Sequence, residues 1–386
     1  MTSTLLTGGR LLDADGSRHG WVLLEGNRIA ATGTGVAPSG TDAPPPAATT
    51  IDVSGRTLTP GFIDLHGHGG GGASYDNGPD EIRQALDTHR AHGTTRSVIS
   101  LVANPLDDVV ASLGVVASLA AADPTIAGAH LEGPFLAIGR RGAQSPEFLR
   151  EPDAETISTL LEAGEGVIRQ VTIAPELPGA LDAVRQFVDA GVVVAIGHTE
   201  ADEHLARAAF EAGATLVTHI FNAMPGIHHR DPGPIVAGFD NDSVTLELVL
   251  DGVHVHPSVA QMIFRAAPHR VALVTDAMAA AGGDDGYYRL GSLNVTVQNG
   301  IAHLNGTQTI AGSTLTQDVA LRTAVSVAGI DEVRAVEALT RTPACVIGRD
   351  AEWGSLAPGF AADVVVLDAD WHTERVWANG VEVPGS

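Results

Sequence analysis

A chain of 386 residues with 44% apolar side chains can bury one large core and a smaller second one. Its 46 acidic and 22 basic residues leave a formal charge of −24, which repels nucleic acid and anionic membranes, so an anionic substrate has to meet a local basic patch. The single cysteine, Cys345, excludes an internal disulfide, and with no basic-then-apolar leader and no run approaching 18 apolar residues a cytosolic protein is expected.

Residues 1–35 read as short strands at 5–6, 21–24 and 28–30, separated by the turn pairs Gly8-Gly9, Asp15-Gly16 and Gly26-Asn27. Residues 36–49, with Pro44-Pro45-Pro46, read as an exposed loop. Residues 50–53 and 56–58 lead into Thr59-Pro60-Gly61-Phe62-Ile63-Asp64-Leu65-His66-Gly67-His68 and the glycines 69–72. Residues two apart on a strand share a face, so His66 and His68 can point at one ion. A glycine-rich loop with incidental histidines is the simpler alternative, whereas a phosphate-binding P-loop is excluded because no Gly-Lys-Ser/Thr follows.

Between 60 and 348, apolar β-rich runs alternate with segments of helical period. The runs lie at 62–66, 95–101, 126–132, 167–174, 192–198, 215–221, 244–251 and 271–276, and eight is the strand count of a (β/α)8 barrel. Helices are expected at 79–92, 105–122, 178–190 and 201–212. A doubly wound open sheet shows the same alternation, so the period alone leaves both architectures open. Residues 287–304 read as a hairpin around Asn299-Gly300, 314–328 and 331–340 as closing helices, and 359–368 and 375–383 as strands. Cys345, in an apolar helical context, reads as a packed, inert thiol. The expected fold is α/β: a TIM-like (β/α)8 barrel over 60–348, with a small β domain formed by both termini, 1–59 and 349–386.

The ends of the β runs carry the chemistry. Run one ends in His66 and His68, run three in His130-Leu131-Glu132, run five in Gly197-His198, run six in Thr218-His219-Ile220-Phe221-Asn222, and run eight in Thr275-Asp276. In a barrel all of these open on one face. A lone histidine there is usually structural, but that reading has to be invoked separately for each strand. Imidazole and carboxylate favour Zn²⁺ or another first-row divalent ion such as Fe, Co or Mn. Glu132, His198 and His219 are assigned to one ion, and His66, His68 and a shared Glu132 to a second, with one or two ions left open. Such an ion acidifies water and polarises a carbonyl. Asp276 is placed as the proton carrier, its alternative being a metal ligand or helix cap. In the long loop after run six, Arg230 offers a fork suited to phosphate, or else pairs with Asp231. His254, in Asp251-Gly252-Val253-His254, can donate to a developing oxyanion, and His256 reads as a helix-entry residue.

With these motifs the chain resembles the amidohydrolase superfamily, and within it the N-acetylglucosamine-6-phosphate deacetylases. The resemblance runs nearly end to end, through Pro60-Gly61-Phe62-Ile63-Asp64-Leu65-His66-Gly67-His68, His130-Leu131-Glu132-Gly133-Pro134-Phe135, Gly197-His198-Thr199, Thr218 to Met224, Asp251 to His254, Val274 to Ala277, and Ala311-Gly312-Ser313-Thr314-Leu315. It implies a distorted barrel with a β-sandwich built from both termini, and a homodimer in which Arg230 reaches the neighbour's substrate phosphate. It further implies that Asp276 is the catalytic acid/base, with His254 also at the reacting carbonyl. Asn222, Ala223, Asp251, His254, Ile310, Ala311 and Gly312 become substrate contacts. The chain departs from the family where Arg140-Arg141-Gly142-Ala143-Gln144 replaces a segment ending in histidine. Ala143 and Gln144 are placed against the substrate, Gln144 as a neutral donor. The expected reaction is metal-dependent deacetylation of a phosphorylated amino sugar. Its rivals are hydrolysis of another N-acyl or cyclic amide, and a non-catalytic sugar-phosphate sensor.

Overall fold

The computed structural model describes residues 3–37 and 49–385, so most of the Pro-rich segment expected as a loop lies outside the described residues. Eight strands form one parallel sheet: β1 (Phe62–Asp64), β2 (Thr94–Val102), β3 (Ile126–Glu132), β4 (Ile168–Ile173), β5 (Val193–Ile196), β6 (Leu216–Val217), β7 (Thr245–Val249) and β8 (Val271–Val274). Their order in space follows their order in sequence. The two ends meet where Gly67 bridges Ala277 in parallel, with Asp276 N donating to His66 O at 2.8 Å and His68 N to Ala277 O at 2.7 Å. That seam selects the barrel over the open sheet that the period had left possible. Nearly every strand residue is buried, which is why the runs read as apolar on both faces.

The helices fall where the period places them, at Pro79–Ala91, Leu106–Ala122, Ala180–Asp189 and Glu203–Glu211. Asp202 accepts from Leu205 N at the start of Glu203–Glu211, and His256 accepts from Ser258 N at the start of Pro257–Ala266, the helix-entry role expected of it. The 287–304 segment has three antiparallel strands rather than two, because Gly291 (φ +52) supplies a second turn between Gly286–Leu290 and Leu293–Gln298.

Both termini contribute to a second sheet of eight strands, ordered Val381–Glu382, Thr373–Ala378, Val364–Leu367, Thr57–Pro60, Ser3–Asp13, Gly16–Glu25, Arg28–Thr34, with Thr49–Asp52 also paired to Ser3–Asp13. A register shift at Gly8 (φ +86) divides the long first strand, so that Thr49–Asp52 pairs with its first half and Thr57–Pro60 with its second. Leu6, Val22, Leu58, Val364 and Trp377 form the core of this sheet. The compact units are Met1–Asp64 with His89–Arg96 and Gln317–Ser386, and Leu65–Thr88 with Ser97–Thr316. Residues 317–348, placed with the barrel on sequence grounds, therefore group with the termini. Gln317 Nε2 donates to Ile63 O at 3.1 Å and Asp318 lies 3.2 Å from His92, all within the first unit. Cys345 is a correction: it lies on the open side of the short helix Arg341–Val346 and is exposed rather than packed, although partial burial and Asp350 push its thiol up.

Candidate metal centre and substrate pocket

The chemistry sits just past the strand ends. Glu132 closes β3, while His198, His219 and Asp276 each stand two residues beyond β5, β6 and β8, and His66 and His68 two and four beyond β1. His198 (φ 48), His219 (φ 28) and Asp276 (φ 49) adopt the left-handed backbone that non-glycine residues avoid. Three such residues at one rim mark a place where backbone strain is spent on aiming side chains. Gly197 permits the turn at His198, since a Cβ there would lie 2.6 Å from the Cβ of Thr218.

The six side chains converge on Glu132. Its Oε1 lies 3.1 Å from His198 Nε2, 3.3 Å from His219 Nε2 and 3.2 Å from His66 Nε2, and its Oε2 lies 3.2 Å from His68 Nε2. Asp276 Oδ1 is 3.5 Å from His66 Nε2 and 3.4 Å from His68 Nε2. Two ligand groups result, Glu132–His198–His219 and His66–His68–Asp276, each with its donor atoms within 4.8 Å of one another. Opposed imidazole nitrogens, 2.9 Å apart for His198 and His219 and 3.2 Å for His66 and His68, suit a shared cation. The donor set thus fits one or two divalent ions. Burial penalises every charge here, yet the groups hold one another ionised. His66 keeps the Glu132 carboxyl well below its ordinary range and Asp276 down at about 2. Burial pushes His66 and His68 down, but the carboxylates outweigh it, leaving His66 well above 6.5 and His68 at about 9.

Outside the ligands lies a layer that the sequence did not reveal. Fully buried Glu247, on β7, faces His66 Nδ1 at 3.1 Å and accepts from His219 N at 3.4 Å and from Gln170 Nε2 at 2.7 Å. A carboxylate inside the apolar run Leu246-Glu247-Leu248 was the one available signal. His130, next to Glu132 in its motif, is no ligand: its ring nitrogens meet Ser100 and Thr172, both at 2.9 Å, and burial holds it well below 6.5.

A cavity of about 470 Å³ opens on the cluster, lined by His68, Glu132, His198, His219 and Asp276 together with Ala143, Gln144, Asn222, Ala223, His254, Ile310 and Gly312. His66 lies behind it, fully buried, as does Ala311, whose N–H bonds Ala302 O. Asp251 stands behind His254, its carboxylate 2.7 Å from Nδ1. Burial lowers His254, and the Asp251 bond overcomes this and raises it above 6.5. Arg230 is exposed, does not line the cavity and contacts His229. Arg140, Arg141, Gln308 and Thr309 complete the wall.

The Amidohydrolase family profile matches residues 57–383, which span every ligand from His66 to Asp276. The chain belongs to the amidohydrolase family. This amidohydrolase is 36% identical to an N-acetylgalactosamine-6-phosphate deacetylase of Escherichia coli O157:H7, over 84% of its own length and 86% of the relative's. It is 35% identical to the human N-acetylglucosamine-6-phosphate deacetylase over 85% and 84% of the two chains. Among solved structures, an aspartate-to-alanine variant of the Mycobacterium smegmatis N-acetyl-D-glucosamine-6-phosphate deacetylase, in complex with N-acetyl-D-glucosamine-6-phosphate, is 42% identical at a TM-score of 0.93, covering 99% of this amidohydrolase and 100% of that chain. Among the described residues no helix is long and apolar enough to cross a membrane.

Proposed function

We propose that the protein hydrolyses the acetamide of N-acetylglucosamine 6-phosphate, releasing acetate and glucosamine 6-phosphate in amino-sugar breakdown. The observation that carries this reading is a single cavity in which a carboxylate, Asp276, and a hydrogen-bond donor, His254, face a cluster able to hold divalent ions. Zn²⁺ first, or Fe, Co or Mn, held by Glu132, His198 and His219 with room for a second ion at His66, His68 and Asp276, supplies Lewis-acid polarisation of the acetyl carbonyl and acidifies water. Asp276, kept ionised against burial by His66 and His68, takes the proton of the attacking water and returns it to the departing nitrogen. His254 has Nδ1 engaged by Asp251, which directs Nε2 into the cavity to donate to the oxyanion or the phosphate. Asn222, Ala223, Ile310 and Gly312 hold the sugar phosphate from the wall.

Arg230 supplies phosphate affinity across a homodimer interface. Its exposure and its absence from the lining of its own subunit's cavity support contribution in trans. The Escherichia coli relative is named for the C4 epimer, so N-acetylgalactosamine 6-phosphate is the second substrate to compare. Acetate release from both phosphates, before and after chelation and Zn²⁺ restoration, tests the reading. Chelator-insensitive activity, or no acetate from either sugar, overturns it.

A further inference from the structure

The loop after β3 touches the metal centre from outside at two points. Gln144 is 4% exposed, and its amide is fixed by a contact that admits one orientation. The Ala103 N–H can only donate, so the atom 2.9 Å from it is the amide oxygen. The amide nitrogen then faces Glu132 Oε2 at 2.6 Å. Four residues earlier, the Arg140 carbonyl lies 2.8 Å from His198 Nδ1 and orients that ring with Nε2 toward Glu132. Gly142 lies between them in the left-handed backbone region (φ +55) that side chains disfavour.

We infer that Gln144 is a positioning residue of the metal centre: by donating to Glu132 Oε2 it holds the carboxylate plane with Oε1 aimed at the three imidazoles, and so sets metal affinity. Glu132 Oε1 serves three ring nitrogens at once, which requires the carboxylate to hold one rotation about its Cγ–Cδ bond. Oε2 is the handle by which that rotation is fixed. The donor is neutral, so it orients Glu132 without cancelling the negative charge a cation needs, as a guanidinium or imidazolium would. The inference rests on the metal-dependent reading of the centre and is independent of which acetylated sugar is the substrate.

The test is Zn²⁺ affinity, measured by chelator competition on stripped protein, together with the Zn²⁺-induced rise in Tm. Gln144→Glu keeps an oxygen for Ala103 N but replaces the donor by a like-charged carboxylate oxygen that turns Glu132 away, while Gln144→Ala removes both bonds. Outer-layer partners of metal ligands are worth about 10–100-fold in affinity. The expected order is wild type above Ala, and Ala above Glu, with the first step at about tenfold. Zn²⁺ affinity within twofold of wild type in both variants overturns the inference, whatever KM does. A variant that unfolds when stripped is read by the Zn²⁺ concentration at which its Tm levels off: a higher concentration than wild type supports the inference, and an equal one overturns it. Weakened Zn²⁺ binding in a protein that releases no acetate would leave the inference standing and sink the proposed reaction.

Discussion

Replacing Glu247 by glutamine tests whether the layer behind the ligands controls the centre. The carboxylate is fully buried and meets three groups: His66 Nδ1, the His219 N–H and the Gln170 amide. Glutamine has the same shape but only one acceptor oxygen. If that oxygen stays with Gln170, the new amide group faces His66 Nδ1 and the His219 N–H. If it turns to His66, Gln170, whose Oε1 has no other partner, flips to accept from the new amide. Either way the charge-assisted contact with His66 is lost, a bond to a charged group being worth about 1.5–3 kcal/mol. Loss of an outer-layer carboxylate behind a metal-bound histidine weakens binding about 10–100-fold, or about 1.4–2.7 kcal/mol, the same range. The expected result for Glu247→Gln is a Zn²⁺ dissociation constant raised by at least about tenfold, read by competition with a chelator. The double variant Gln170→Glu/Glu247→Gln restores a carboxylate–amide pair with the charge moved one residue away from His66. It should recover thermal stability but not Zn²⁺ affinity. A single variant that binds Zn²⁺ within twofold of wild type refutes the reasoning.

Asp276→Asn should lower kcat by about 10²-fold or more while retaining the ion at Glu132, His198 and His219, because general acid–base transfer contributes about 10²–10⁴-fold; metal analysis beside turnover checks this, and normal turnover removes the proton-carrier role. Arg230→Ala should raise KM for the phosphorylated sugar far more than for its unphosphorylated counterpart, and equal effects would show that phosphate is not its target. His254 is raised above 6.5 by Asp251, so the charged pair is present at acid pH and is lost as pH rises through that raised value. KM should therefore climb on the alkaline side, and Asp251→Asn should shift the climb to lower pH; an unmoved pH profile counts against the pair.

Much of the fold was legible because local rules carry it. The eight runs and the helices between them follow from hydrophobic period and caps, and the terminal strands from turn pairs such as Asp15-Gly16 and Gly26-Asn27, whereas Gly8-Gly9, read as a turn, only shifts the register within the continuous strand Ser3–Asp13. The ligands were legible because each stands at or just past the end of a run. The third strand before Gln298 was missed because Gly291-Ser292 is a weaker turn signal than Asn299-Gly300. Cys345 was misread because an apolar neighbourhood in sequence does not say which side of a short helix faces solvent.

By itself the sequence determined the strand–helix alternation, the family, and the residue types offered at each strand end, since these depend on neighbours a few positions apart. Only the tertiary structure decided that the sheet closes through Gly67 and Ala277, that residues 317–348 group with the termini, that Glu247 stands behind His66, and that Gln144 reaches Glu132. His66 and its Glu247 partner are 181 positions apart. No periodicity spans that distance, so the contact exists only once the barrel brings β7 beside the end of β1.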